Sequence, residues 1–434
     1  MKLRRGAILA GLIAAILLAT NLFDVTSSAR QFSNSYPAVV CPPNPAGITT
    51  TSSLASKQTL YYRVGNKSTK LVKISSLRYS NVSDAILLQT EGVTPVSFQS
   101  RTGVWAGAVL CTAPSTSQWF VGGNSDVSSK GEIDLVNSGL SASIVDVSTW
   151  SETGKKATKT LTLKANSSSA LKLDSLAPGE SKIVVNVVAR SGRVNSYLID
   201  ERAKGLQKLG GDSVNFMAEP TKRIVIAGIP QQLGKDKKAP SHSLRLFAPG
   251  IADVNFTLEL ISNDGRFIPS GFNERKLPGG KVVEFNLAPE VSSGAFAIKL
   301  TSDRPIVAAV RSNAISNGHS DFLWSTPSPS LTPMRIALGG ISPNLIFTGD
   351  TIAVELRIDY AAGKSKSKKI TGSDLVSWKV PENVIALTVM NAGIENYAGA
   401  LVGTKSGYAF FPIASGSELI KAAIPSSNIR VLNP

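Results

Sequence analysis

Histidine is almost absent from this chain: His242 and His319 are the only two in 434 residues. Cysteine is equally scarce, with Cys41 and Cys111 alone. Metal centres need clustered His, Cys or carboxylate ligands at set spacings. Here the histidines lie 77 residues apart, neither cysteine belongs to a CxxC or CxC pair, and no DxDxDG loop occurs. His319-Ser320-Asp321 is the one segment that sets two ligand types close together, and it reads better as a polar loop. A Ser-His-Asp hydrolase would have to use one of the two histidines, and no GxSxG elbow is present. GxGxxG and P-loop fingerprints are missing too. Ser365-Lys366-Ser367-Lys368 formally spells S-x-x-K, but it sits in a run of solvated lysines that stay protonated. No cofactor and no metal is expected. Paired carboxylates for glycoside hydrolysis carry no local signature, so that chemistry stays open.

What the chain does have begins with a leader. Lys2, Arg4 and Arg5 precede an apolar run from Gly6 to Phe23. As a helix that run spans roughly 27 Å, close to a bilayer core. The basic flank holds its start in the cytoplasm and sends the rest across the membrane. Ser27-Ser28-Ala29 offers small residues for a signal-peptidase site, so both a retained anchor and a cleaved signal peptide over residues 1–29 are open. In an exported chain two cysteines read as one disulfide, Cys41 to Cys111, closing a loop of about 70 residues.

Formal net charge is +16 and is thinly spread, except over residues 31–115, where seven basic residues meet two acidic. An exported basic protein meets anionic lipid head groups and acidic wall polymers; nucleic acid is not an expected partner.

After residue 115 a module recurs three times. It opens on Gly122-Gly123, Ala227-Gly228 and Gly339-Gly340. Turn glycines follow at Gly139, Gly250 and Gly349, and again 15, 15 and 14 residues later at Gly154, Gly265 and Gly363. Proline turns close the pattern at Pro178, Pro278 and Pro381. Between these marks hydrophobicity alternates with period two, as in Val254-Asn255-Phe256-Thr257-Leu258-Glu259-Leu260 and Ile352-Ala353-Val354-Glu355-Leu356-Arg357-Ile358. Each copy ends in an apolar strand pair, turning at Ser191-Gly192, at Asp303-Arg304 and at Ser406-Gly407. This density of short strands is that of a β-sandwich. The expected fold is all-β: tandem Ig-like β-sandwich modules behind an N-terminal transmembrane or signal helix. Residues 30–56 read as a spacer, 57–115 as a disulfide-tied N-terminal β-region, and 116–222, 223–332 and 333–434 as the three modules. Glu201–Leu209 reads as a two-turn helix connecting the first two modules, and the proline-rich Thr326–Pro333 as an extended connector.

Lysines crowd three predicted turns: Lys155-Lys156; Lys235, Lys237 and Lys238; and Lys364, Lys366, Lys368 and Lys369. They are the candidate contacts for an anionic polymer. The third module lacks an equivalent of the Lys235–Ser243 loop. Trp105, Trp119, Phe120, Trp150, Trp324 and Trp378 could stack on sugars, but Trp150 and Trp378 fall inside predicted strands, where packing is the stronger claim.

The segment Trp105–Pro114 with Trp119-Phe120-Val121-Gly122-Gly123 resembles the opening motif of an uncharacterised family of actinobacterial exported or membrane-anchored proteins, filed as a domain of unknown function. Arg223–Pro230, Leu244–Gly250, Asp264–Pro269 and Thr301–Val307 are similar to that family as well. The resemblance implies a β-rich protein of an actinobacterial envelope. It brings no activity and no catalytic residues.

These observations lead to a non-enzymatic extracytoplasmic envelope protein. It would be anchored by residues 6–23 or secreted after cleavage, and would present β-modules to a protein partner or an anionic cell-wall polymer. A carbohydrate-binding array and a wall hydrolase with unrecognised carboxylates are the alternatives.

Overall fold

Alternating burial shapes nearly every element. In Ser143–Ser151 the side chains of Val145 and Val147 are buried while Ile144 faces outward, and Val254–Ser262 repeats the phase with Phe256 and Leu258 inward. Such strands have one wet face and one dry face, so they stack into layered antiparallel sheets. The computed structural model describes residues 34–35, 38–81, 83–127, 129–231, 242–289, 291, 294–316 and 319–419. Among them the only helix is one 3-10 turn, Leu173–Ser175. The expected membrane or signal segment lies outside the described residues.

Four sheets set the plan. The first runs Trp105–Leu110, Val96–Arg101, Thr49–Ser53, Arg78–Ser80. The second runs Gln207–Val214, Asn195–Lys204, Glu132–Asn137, Ser167–Lys172. The third runs His319–Ser325, Ala295–Ser316, His242–Phe247, Val282–Leu287. The fourth runs Tyr408–Pro412, Tyr397–Gly403, Asn344–Tyr360, Ser365–Lys379. In each, the strand named first is an edge. Those four edges pack against one another in cyclic order, so the sheets stand as blades of a propeller-like ring.

A further layer of strands fills each angle between blades. Val40 and Val64 of the N-terminal region share a core with Val136 and Tyr197 of the second blade. Trp119 and Trp150 stack 5.4 Å apart and both reach Phe247 of the third blade. Ile261 and Ala297 meet Ile346, Leu401 and Phe410 of the fourth. The third repeat packs on Val96, Ala108 and Leu110, which returns the circuit to its start. Hydrogen bonds close it: Val93–Thr94 pairs in parallel with Met334–Ala337, and the Gly416 amide donates to the Thr94 side-chain Oγ1 at 2.8 Å.

The repeat marks are conformational. Gly123, Gly228 and Gly340 all take positive φ, at 95°, 88° and 77°. The first turn glycine of the third copy departs from the expected turn: Gly349 lies inside the strand Asn344–Tyr360, where the register shifts before Ile352, so a bulge stands in its place. Three other expectations are corrected. Residues 30–56 are not only a spacer, since Ala38–Cys41 and Thr49–Ser53 are sheet strands with Val39 and Val40 fully buried. Glu201–Leu209 is a hairpin, Asn195–Lys204 turning into Gln207–Val214, because pairing of both strands outweighs local helix propensity. No turn occurs at Asp303-Arg304; Ala295–Ser316 runs through as one strand of 22 residues, its first half pairing with Val254–Ser262 and its second with His242–Phe247.

At the hub the edge strands would leave backbone N–H groups without ladder partners, and buried carboxylates take them up. Asp321 Oδ1 accepts from Gly211 N at 3.1 Å and Phe322 N at 2.8 Å, and Oδ2 accepts from Tyr408 N at 3.3 Å; the Ala106 amide also bonds to it. One carboxyl thus ties all four blades. Asp212 accepts from Ser213 N at 2.8 Å and Trp324 N at 2.6 Å. Asn215 donates to Ala108 O at 2.9 Å and Phe410 O at 3.3 Å, joining the first and fourth blades. The approach is so close that a Cβ on Gly407 would lie 1.9 Å from Asp321 Oδ2, and one on Gly107 2.4 Å from Ser213 N.

Cys41 and Cys111 form the expected disulfide, separated by 70 residues. Asp321→Ala strands several buried amides at once, at about 1–3 kcal/mol each, so it should lower stability by about 3 kcal/mol or more. The readout is the urea midpoint at constant slope, and an unmoved midpoint would refute the hub. Replacing both cysteines by serine should cost roughly 2–4 kcal/mol, read as a lowered thermal midpoint that reductant no longer shifts.

Candidate binding surfaces

The lysines singled out from sequence fall into separate places. Lys155 follows the hairpin turn at Gly154, and its ammonium stands 5.7 Å from the Trp150 ring centroid. Lys156 is paired with Glu180. Lys235, Lys237 and Lys238 lie outside the described residues. Lys364 is exposed at the turn before Ser365–Lys379, which pairs along Asn344–Tyr360. Period-two alternation puts Lys366 and Lys368 on one face, where Lys366 lies 6.0 Å from the Tyr360 ring and Lys368 5.4 Å from Trp378. Lys369 points the other way and pairs with Glu355 at 3.0 Å. The strand thus carries a row of cations whose stems cover aromatic rings. The first group belongs to the first repeat and the last to the third.

Of the candidate aromatics, Trp105, Phe120 and Trp324 are fully buried, and Trp119 and Trp150 stack in the core. Trp378 and Tyr360 are half-buried beside the lysines. The two histidines play different parts. His242 is buried between Gln231 Oε1 at 2.9 Å and Ser312 Oγ at 2.8 Å, and burial pushes its pKa down to about 4. His319 begins the strand that carries Asp321.

Sequence reading missed an ionic lattice between the second and third blades. Arg245 interrupts the apolar strand His242–Phe247 and is fully buried. Its Nη1 donates to Gly123 O at 2.7 Å and Ile183 O at 2.8 Å; its Nε and Nη2 donate to Glu284 at 2.8 and 2.7 Å. Its guanidinium lies 4.7 Å from the Trp324 ring centroid. Trp324 Nε1 donates to Asp200 Oδ2 at 2.9 Å, and Arg202 chelates the same carboxylate. Burial pushes the Asp200 and Glu284 pKa values upward, but the arginines win and hold both carboxyls below their usual range. Arg311, in no ion pair among the described residues, is pushed down to about 10 by burial and by the charge of Arg202. The available sequence signal was an arginine at an inward position of a strand, which needs a partner.

Beside this lattice a pocket of about 150 Å³ opens at the base of the Lys204–Gln207 turn, lined by Arg101, Lys130, Glu201, Arg202, Ala203 and Lys208. Arg101 forks onto Glu201 at 2.7 and 2.8 Å, linking the first blade to the second.

Elsewhere on the second blade, Asp134 is shut in beside Glu132, and Oδ2 has no hydrogen-bond partner among the described residues. Burial, with the Glu132 charge adding to it, pushes its pKa up to about 8; Asp321 is pushed to about 7 by burial. A carboxyl whose folded pKa is raised holds a proton that the unfolded chain releases, so it favours the fold at low pH, and that contribution is lost as pH rises toward the folded value. His242 works in the opposite sense, but its contribution is complete above its ordinary value of 6.5. Stability should therefore fall between about pH 6.5 and 8.5, and Asp134→Asn should flatten the fall and raise the thermal midpoint at pH 8. A steeper fall in the variant would refute the assignment.

Among solved structures, the crystal structure of Thermotoga maritima 1070 matches 24% of this chain and 97% of its own, at 13% identity and a TM-score of 0.22. The tetra-tandem repeat in the extending region of a large adhesion protein matches 87% of this chain and 99% of its own, at 11% identity and a TM-score of 0.12. Comparison with curated proteins finds no match. The model of the Family of unknown function (DUF5719) matches residues 93–370. That span is more than half of the chain, and the protein belongs to this family.

Proposed function

We propose that the protein is a non-enzymatic extracytoplasmic envelope protein, a ring of β-sandwich modules that offers basic surfaces to an anionic cell-wall polymer or a protein partner. It would be held at the membrane by residues 6–23 or secreted after their cleavage. The observation that carries this reading is the row that leads into Ser365–Lys379: Lys364 at the turn, then Lys366 and Lys368 on the strand, the last two braced on Tyr360 and Trp378. A braced ammonium keeps its charge toward solvent at fixed spacing, which suits a repeating polyanion better than a single small ion. The disulfide supports an oxidising compartment. The braced aromatic rings also give the carbohydrate-binding alternative its one specific support, since the same faces could stack on sugars.

Binding of the protein to isolated wall polysaccharide, measured at low and raised salt, tests the reading. Charge recognition predicts that Lys364→Gln/Lys366→Gln/Lys368→Gln weakens binding roughly tenfold or more and that salt abolishes it. Binding that survives salt and is lost in Trp378→Ala would transfer the function to sugar stacking. Turnover of the wall substrate would overturn the non-enzymatic part.

A further inference from the structure

We propose that the pocket between the first two blades is a phosphoryl-binding site. It belongs to a different part of the ring from the lysine row and does not depend on it. Four cationic side chains, Arg101, Lys130, Arg202 and Lys208, line it against one carboxylate, Glu201. That carboxylate is already engaged by Arg101, which is also held through Nη1 on Gly47 O at 3.1 Å. Arg202 is fixed from behind by the buried Asp200, a pair that takes up Nε and Nη2 and leaves the Nη1 side of the fork outside it. Its guanidinium also lies 5.0 Å from the Phe322 ring centroid and 5.9 Å from that of Trp324. Lys130 and Lys208 are exposed and take part in none of the ion pairs among the described residues. The pocket therefore keeps an excess of positive charge that the protein does not itself neutralise.

Two immobilised guanidinium groups with two mobile ammonium groups suit a tetrahedral phosphoryl oxyanion. Arg101 is taken up by Glu201 and Gly47 and contributes fixed charge, Arg202 offers its Nη1 side as a fixed donor, and the lysines supply charge from any direction. Because the arginines are held before a ligand arrives, little ordering is left to oppose binding. The volume takes one such group together with its water. The phosphoryl group could be free phosphate or a lipid head group, and the surroundings give reason to test the second. Leu206 is fully exposed at the hairpin tip between Lys204 and Lys208, and Val127 is exposed on the turn that leads to Lys130. Apolar tips within a basic collar are how a folded domain seats on an anionic bilayer.

Calorimetric titration of the full chain with inorganic phosphate, against chloride at matched ionic strength, should give saturable binding to one site. Lys130→Gln/Lys208→Gln should weaken it about tenfold or more, since each change removes a charged hydrogen bond. Lys159→Gln/Lys222→Gln, with the same loss of charge on other surfaces, should leave it unchanged. A second arm uses vesicles of phosphatidylglycerol in phosphatidylcholine against phosphatidylcholine alone. Selective vesicle binding that is lost in Leu206→Ser supports the site and assigns its phosphoryl group to lipid. Phosphate binding without vesicle binding supports the site and assigns it to a soluble ligand. Absence of saturable phosphate binding, or equal affinity in Lys130→Gln/Lys208→Gln, overturns the proposal.

Discussion

One carboxyl group stands where four sheets meet. Each blade presents to the axis an edge strand whose inner N–H groups have no neighbouring strand to bond. Asp321 answers this for all four at once, with amides from Gly211, Phe322, Tyr408 and Ala106 converging on its two oxygens. Glycines at Gly107 and Gly407 follow from that geometry, because the backbones approach too closely for any side chain. The blades depend on the hub because an edge strand buried without partners would cost more than its packing returns. Burial of the hub in turn draws the carboxyl toward its protonated form, so polar satisfaction and charge cost are settled at the same atom.

Away from the axis, apolar packing and ion pairing divide the work. Between the second and third blades the stack of Trp119, Trp150 and Phe247 supplies the dry contact, and Arg245, Glu284, Asp200 and Arg202 supply the fixed geometry. Such a buried lattice is a weak source of net stability, but its bonds run directly from one blade to the other, through Trp324 to Asp200. The pocket beside it inherits that rigidity: Arg202 belongs to both, so the lattice orients one wall of the cavity.

Much of this was written in local pattern and much was not. The all-β fold, the disulfide, the family and the spaced glycines were legible because each rests on short-range rules: alternation, a lone cysteine pair, motif order and positive φ at turns. Closure into a ring was not legible, because it rests on Val93–Thr94 meeting Met334–Ala337, a pairing of two-residue reach with no sequence signature. Glu201–Leu209 looked helical because Glu, Arg, Ala, Lys and Leu favour helix; tertiary pairing overrode them and bent the segment into the hairpin that borders the pocket. Asp321 was noticed only as a neighbour of His319. Its importance comes from four amides scattered over three hundred residues, which no window of sequence brings together.

The strand Ala295–Ser316 belongs to two sheets at once, whereas the first repeat makes the same passage from Ile183–Ser191 to Asn195–Lys204 through a break at Gly192. Among the described residues the broken crossing is held only by the bridge of Val194 to Ser115, so few ladder bonds resist rotation there. A continuous one acts as a beam, since bending it must open pairing on both sides. The ring is therefore mechanically uneven: the first repeat can flex between its layers, and the second transmits load from the outer strands straight to the blade that carries Asp321.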